Sequence, residues 1–592
     1  MPPSDIITLE TLHEKLPRWH PNYENHLYAI VDMGSNGIRF SITSLKPPTT
    51  RLLEPVYSSR VAISLFDALT PSDRGPIFPS ETIKAVASAL SGFRHIAVMH
   101  GVPQSQIMIL ATEAMRRAVN GGQLLEAIAA ETDGLGVQIL DPAVETLFGA
   151  VMGSRSGLVS VHNGALFLDL GGGSVQMTWV DTSKDNYEIE AAMAGQSLPY
   201  GAAKLAKVLD GQSTTVQAEE ICALQNGIAG IYSNLCARFP AIRAIKEAYD
   251  RGEDASVDVY MCGGGFRGYG SMLMHNDPIS PYPIPSTHTY SVPGSQFKQP
   301  TKMRQVNDEY DGKIYGMSKR RRQQFPAIAT VIESFIAVVP NIRRVTFCGG
   351  SNRQGVLFMK MPKDVRESNP LEVLANVTKT EEPLFNAILG LLSASIPETQ
   401  DDLNNIPTIF SPGLGALFVR QIWSRAGHSS NSNSSSALHH AIIRDPDCPG
   451  LTHLARALLA LTTCARWGND IGPSDEILWR GLKGVIESHH PDAMFWTLYI
   501  GAVANMLATL FPVMPQNARE LLSAVRQVIS KLNSKISKNK SEKDKVELTV
   551  SLSAQIMKNV NLEELSATMK NTTKIKGEKG KYKSNVQFSN LS

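Results

Sequence analysis

Along the first third of the chain, short apolar runs alternate in two periods. Ile38, Phe40 and Ile42 alternate with Arg39, Ser41 and Thr43, which predicts a strand with one buried face and one face free to meet a ligand. Ser80 and Glu81 open a helical pattern whose apolar positions are Ile83, Val86, Leu90 and Phe93. Residues 107–110 predict a strand. Thr112 is placed to cap a helix over 113–119, with Asn120-Gly121-Gly122 ending it, and a further strand is predicted at 137–140. Strands alternating with helices imply an α/β lobe over 26–152, preceded by an extension over 1–25. The same alternation returns over 153–360, with strands predicted at 257–261 and 344–347 and a Pro-rich loop at 278–293. From 361 to 530 the pattern becomes helical, with apolar helices at 451–467 and 493–510. The Ser/Asn run 429–436 predicts a surface loop, and the lysine-rich stretch 531–592 a solvated, flexible tail.

Two hairpin patterns stand out because they use one device twice. An apolar run ends in Asp32, passes through Met33-Gly34-Ser35-Asn36-Gly37, and returns through Ile38-Arg39-Phe40. A second run ends in Asp169, passes through Leu170-Gly171-Gly172-Gly173-Ser174, and returns through Val175-Gln176-Met177. Small residues let backbone N–H groups converge on an anion, and a strand-end Asp can hold a cation or orient a water. Two such turns predict two like lobes clasping a phosphate compound, with Asp32 and Asp169 as ligands of a divalent cation. Arg39 lies on the polar face of its strand. Thr112 and Arg116 sit at a helix start, where N–H groups and the helix dipole favour anions.

Composition narrows the function without deciding it. A net charge of +2 gives no global field for nucleic acid or an acidic membrane. The six cysteines form no CxxC pair and fit neither a zinc ribbon nor a disulfide scaffold, so reduced thiols in a cytosolic or nuclear protein are expected, and a cytoplasmic location is the expectation for the chain. Residues 1–25 lack the apolar core of a secretory signal, and 493–510 reads as a buried helix because it contains Asn505 and small residues. His439-His440 and His489-His490 read as helix-end histidines rather than metal ligands.

Taken in order, the motifs resemble the exopolyphosphatase/guanosine pentaphosphate phosphohydrolase (Ppx/GppA) family. The two Asp-containing hairpins are similar to its first and second phosphate loops. Ala111-Thr112-Glu113-Ala114-Met115-Arg116 looks like its conserved-type helix start, and Ser197-Leu198-Pro199-Tyr200-Gly201, Gly263-Gly264-Gly265-Phe266-Arg267 and Gly349-Gly350-Ser351-Asn352-Arg353-Gln354-Gly355 follow in the expected sequence. The resemblance covers 26–360 and is closest to a fungal branch of regulators that relay mitochondrial dysfunction to nuclear gene expression. It implies two actin/Hsp70-like (ribonuclease H-like) lobes around a cleft, followed by a mostly helical C-terminal region. It also implies bound Mg²⁺ and a phosphate or nucleotide site that includes Gly201, Gly263, Gly264, Gly265 and Arg267. ATP or another phosphate compound and signalling proteins are the implied partners, with a homodimer allowed, and neither membrane nor direct nucleic-acid contact is expected.

The chain departs from the family's enzymes at three places. Where they carry a pair of glutamates between the loops, this chain has Pro142 and Ala143, which cannot take a proton. Glu145 and Asp141 are the remaining candidate bases, although for Glu145 two residues of helix turn a side chain by about 200°. Gln176 and Gln354 stand where Glu is usual. The expectation is a nucleotide- or phosphate-binding signalling regulator with weak or no phosphohydrolase activity. The alternative is an active Mg²⁺-dependent hydrolase of polyphosphate or a guanosine polyphosphate, with Glu145 as base.

Overall fold

The computed structural model describes residues 6–590 except 36, 158–159, 398–405, 426, 428–429, 445–447, 534–543 and 576–579. The chain divides into two compact units. The first comprises 1–277, 285–368 and 447–449; the second comprises 278–284, 369–446 and 450–592.

The first unit holds two six-stranded sheets. One contains β1 (Ile6–Ile7), β2 (Leu27–Gly34), β3 (Gly37–Ser44), β4 (Glu54–Val61), β5 (Ile107–Ala111) and β6 (Val137–Leu140), in the order β1-β6-β5-β2-β3-β4. The other contains β7 (Ala165–Leu170), β8 (Val175–Val180), β9 (Gln196–Leu198), β10 (Val257–Cys262), β11 (Ser291–Pro293) and β12 (Ile342–Phe347), in the order β11-β12-β10-β7-β8-β9. The sheets share a plan. Each begins with an antiparallel hairpin (β2/β3, β7/β8), extends it antiparallel to β4 or β9, and adds two parallel strands on the other side. This is the duplicated α/β architecture of the actin-like class. The pairing also equates residues: Asp32 lies opposite Arg39, and Asp169 opposite Gln176.

Burial follows the sequence periodicity. Ile38, Phe40 and Ile42 are fully buried, and Phe40 stacks on Phe93 at 4.8 Å between ring centres. Phe93 comes from the helix Ser80–Met99, whose buried face includes Ile83, Val86 and Leu90. Two local readings are corrected. The helix after β5 spans only Glu113–Arg117, and Thr112 makes no side-chain cap bond. Asn120 ends nothing; its amide clips Phe78, accepting from the Phe78 N–H at 2.8 Å and donating to the Phe78 carbonyl at 2.9 Å.

A π-helix, Leu147–Gly153, continues the short helix Pro142–Thr146, and all seven of its residues are buried. It packs on the helix Asn352–Lys360 by backbone approach. Gly355 has no room for a Cβ against the Phe148 carbonyl.

The second unit is mostly helical, and two expectations fail in it. The Ser/Asn run forms the start of a helix, Asn431–Ile443, capped by Ser430. Ser434 is fully buried and its hydroxyl donates to the Trp467 carbonyl at 3.0 Å, so small polar residues serve here as close-packing positions; residues 428 and 429 lie outside the described part. The lysine-rich stretch is a folded sheet rather than a tail: β13 (Val525–Asn533), β14 (Asp544–Leu552) and β15 (Tyr582–Asn590) pair in that order, with a helix Leu562–Thr572 between the last two. The reason is a period of two that the lysines obscure: Val546, Leu548, Val550 and Leu552 are fully buried while the intervening positions are polar. The helix Ala493–Leu510 is long and apolar enough to cross a membrane, and 94% of it is buried within the protein.

Candidate functional site

The equivalent hairpins of the two sheets aim their turns at one cavity of about 180 Å³. Asp32, Gly34, Ser35 and Arg39 line it from the first lobe, together with Thr112 at the end of β5. Asp169, Gly171, Gly172, Gly173, Ser174 and Gln176 line it from the second, with Gly263, Gly264, Gly265 and Arg267 at the end of β10. Asn36 lies outside the described residues. The turns nearly touch: a Cβ on Gly173 would collide with the Glu113 carboxylate and come within 3.1 Å of Ser35 Oγ. Gly263 has φ +84°, and a Cβ there would overlap both Asp169 Oδ1 and the Leu170 carbonyl. Only glycine meets both demands.

The floor of the cavity is acidic. Burial pushes the Asp32 carboxyl above its usual range, against the lowering influence of Arg353 and Arg39. Burial also raises Asp169, opposed by Arg267 and reinforced by the negative charge of Asp32. Asp32 Oδ1 is buried with no hydrogen-bond partner among the described residues. Burying a carboxylate oxygen in this way is costly without a donor or cation.

The walls are basic. Arg39, Arg60, Arg267, Arg320 and Arg321 all reach the cavity. Burial and the neighbouring Arg267, Arg39 and Arg60 depress Arg321 to about 10, and burial with Arg39 and Arg320 depresses Arg60. Charges of one sign gathered in this way are relieved by an anion. Arg267 is held in place by donating to the carbonyls of Cys348 and Gly350, each at 3.3 Å.

Glu145 also lines the cavity. The angular separation holds but works the other way: Glu145 faces the cavity, while the exposed Pro142 and half-buried Ala143 lie off its wall. Asp141 is the cap, accepting from the Ala143 N–H at 2.8 Å. Burial raises the Glu145 carboxyl to about 7, opposed by Arg116 and aided by Asp169 and Glu113. Gln176 accepts a 3.4 Å hydrogen bond from the Thr146 hydroxyl, which ties β8 to the same helix.

Three other readings are corrected. Arg116 does not reach the cavity; its guanidinium donates to the Leu140 carbonyl and, at 2.9 Å, to Glu145 Oε2, so it positions that carboxylate. Gly201 is a buttress: its N–H donates to the Gly173 carbonyl at 2.9 Å, and a Cβ there would overlap the backbone of Gly172 and Gly173. Gln354 accepts from Ser351 Oγ at 2.8 Å within its own helix start and is not on the cavity wall. Sequence reasoning missed Gly37, Arg60, Ser318, Arg320, Arg321, Gln324, Ile328, Gly350, Ser351 and Asn352. The run Lys319-Arg320-Arg321-Arg322 was the available signal for the basic wall.

The donor set suits a hard divalent cation. Three carboxylates, Asp32, Asp169 and Glu145, line the cavity, and among the described residues no group of three or more His, Cys, Asp or Glu could enclose a metal by itself. That combination fits Mg²⁺, which is commonly held by one or two carboxylates while phosphate oxygens and water complete its shell. His439, outside this site, pairs with Asp475 at 3.0 Å.

Comparison with known proteins gives a consistent result. Residues 46–364 match the Ppx/GppA phosphatase family, and residues 369–589 match the RTG2 C-terminal domain. The chain is 30% identical over 504 residues to Retrograde regulation protein 2 of Saccharomyces cerevisiae, covering 82% of this chain and 81% of that one. Among solved structures it is similar to the Aquifex aeolicus Ppx/GppA phosphatase, with a TM-score of 0.42 and 17% identity over 57% of this chain and 99% of that one. It is also similar to an exopolyphosphatase from Cytophaga hutchinsonii, with a TM-score of 0.42 and 18% identity over 56% and 97% of the two chains.

Proposed function

Because the chain belongs to the Ppx/GppA phosphatase family, we propose that its cleft binds the phosphates of ATP or a similar phosphate compound together with Mg²⁺, and that binding rather than rapid turnover is its output. One observation carries this reading: two strand-end carboxylates, the buried Asp32 and the half-buried Asp169, face one cavity walled by five arginines. Mg²⁺ held by Asp32 and Asp169 would supply charge neutralisation for the phosphates. The arginines and the N–H groups of the glycine turns would orient the phosphate chain and exclude competing water. Ligand that favours the closed lobes over the open ones would shift their balance, and signalling partners would read the difference. In this reading the protein works in the cytoplasm as a regulator, as the yeast relative's name says of that protein, and its proposed role is to pass on the state of the mitochondrion to gene expression.

Weak turnover follows from the tie between Glu145 and Arg116, which engages the carboxylate this helix presents to the cavity. A second reading has its own support. Glu145 faces the cavity with its carboxyl raised to about 7, a value suited to a general base at neutral pH. In that case Glu145 would take a proton from a water attacking the terminal phosphorus of polyphosphate or a guanosine polyphosphate. Calorimetry with ATP and Mg²⁺, beside phosphate-release assays on the wild type and Glu145→Gln, tests both. Binding without appreciable release supports the regulator. Fast release that collapses in Glu145→Gln supports the hydrolase. Absence of binding refutes both.

A further inference from the structure

At the mouth of the cleft the two lobes are clasped by one carboxylate. The short helix Leu65–Ala68 follows β4 in the first lobe, and its entry is tied to the first phosphate turn. The Ser64 hydroxyl donates to the Ser35 carbonyl at 2.8 Å, and the Phe66 N–H to the same oxygen at 3.2 Å. Asp67 then receives two cations from the second lobe. Arg320 Nη2 donates to Asp67 Oδ2 at 2.5 Å and to Ser64 Oγ at 2.9 Å, and Lys207 Nζ lies 3.3 Å from Asp67 Oδ1. Phe66 beside it is approached by Lys207 from the second lobe and Arg117 from the first, at 5.2 and 5.5 Å from the ring centre.

Two features make this more than a surface ion pair. Arg320 is itself a wall of the phosphate cavity, so the guanidinium that Asp67 engages is one a bound anion would use. The clasp is also open to water, with the Asp67, Arg320 and Lys207 side chains 40%, 34% and 56% exposed. Such pairs are weak and exchangeable. A carboxylate held by an arginine and a lysine stands where the next anionic group of a longer ligand would go.

We propose that Asp67 is a built-in anion that limits the length of ligand the cleft accepts, competing for Arg320 and Lys207 with any linear polyanion extending beyond the inner cavity. Short phosphate chains held by the inner turns compete with Asp67 for Arg320 alone, whereas longer ones must draw Lys207 from it as well. This rests on the phosphate-binding reading above.

Calorimetry with inorganic tripolyphosphate and with long-chain inorganic polyphosphate, both with Mg²⁺, tests it on the full chain. Asp67→Asn should raise affinity for the long chain by roughly two- to fivefold, the factor a half-exposed ion pair supports, and raise that for tripolyphosphate by clearly less. Lys207→Gln should lower long-chain affinity and reduce the gain from Asp67→Asn in the double variant. Asp73→Asn makes the same change in net charge on the same loop and should alter neither affinity. Equal gains for both probes, or an equal gain in Asp73→Asn, overturn the gate while leaving the phosphate site standing. Failure of every protein to bind tripolyphosphate overturns the phosphate reading and the gate with it.

Discussion

Glu145 accepts a 2.9 Å hydrogen bond from Arg116 while its carboxylate lines the same cavity as Asp169. The pairing sets a carboxyl with pKa about 7 beside the phosphate turns. If it acts as a base, Glu145→Gln should cut phosphate release by about 10²–10⁴ and leave calorimetric binding near the wild-type value, since a base acts in the transition state. Arg116→Gln should change the pH profile of any release by moving that pKa, which loss of packing alone would not do.

The same carboxyl makes stability depend on pH. Its folded pKa is raised above the ordinary 4.5, so its stabilising contribution is fully present below 4.5 and is lost as pH rises through about 7. Urea midpoints should therefore fall more steeply between pH 4.5 and 7 in the wild type than in Glu145→Gln. Parallel slopes would show that the carboxyl is not raised.

Asp169→Asn should abolish Mg²⁺-dependent nucleotide binding without lowering the melting temperature at pH 7. Burial already disfavours the Asp169 anion, and the neutral amide removes that penalty while filling the same space. Calorimetry and thermal unfolding of one preparation check both halves.

Gly201→Ala should weaken phosphate binding from outside the cavity. The added methyl overlaps backbone rather than a flexible side chain, so the Gly171–Gly173 turn must shift. A cost of about 1–3 kcal/mol in stability is expected from overpacking, together with a loss of affinity greater than that of Gly211→Ala, where nothing lies within 4 Å.

Leu548→Ala should destabilise the second unit by about 2–4 kcal/mol, as a cavity in a packed core does. Denaturant unfolding measures this directly. An unchanged midpoint would be the signature of a solvated tail.

The hairpins ending in Asp32 and Asp169 were legible because two signals coincide there: a strand-length apolar run and a small-residue turn. Glu145 was discounted because Pro142 and Ala143 align with the cleft-facing glutamates of the family, whereas in the structure Glu145, about 200° around the helix from Ala143, lines the cavity. Arg60, Arg320 and Arg321 were missed for a different reason. A basic run on a half-exposed helix looks like a solvated face until a second lobe is placed opposite it. The C-terminal sheet was hidden by its lysines: the exposed Lys531 on β13 and the half-buried Lys545 at the start of the central strand β14 mask the buried valines and leucines that follow.

The π-helix Leu147–Gly153 joins Glu145 to the wall that bears Asp169. A Cβ at Gly149, within it, would sit 2.9 Å from Asp169 Oδ2 and 3.0 Å from Asn352 Oδ1. The distance between Glu145 and the Asp169 turn is thus a matter of residue count. A π turn carries one residue more than an α turn over nearly the same rotation, so removing one residue would let the segment wind as an ordinary helix, draw Gly149 away from the Asp169 carboxylate and leave Glu145 close to its present face. Insertions and deletions here would retune the packing behind Asp169 more sharply than substitutions.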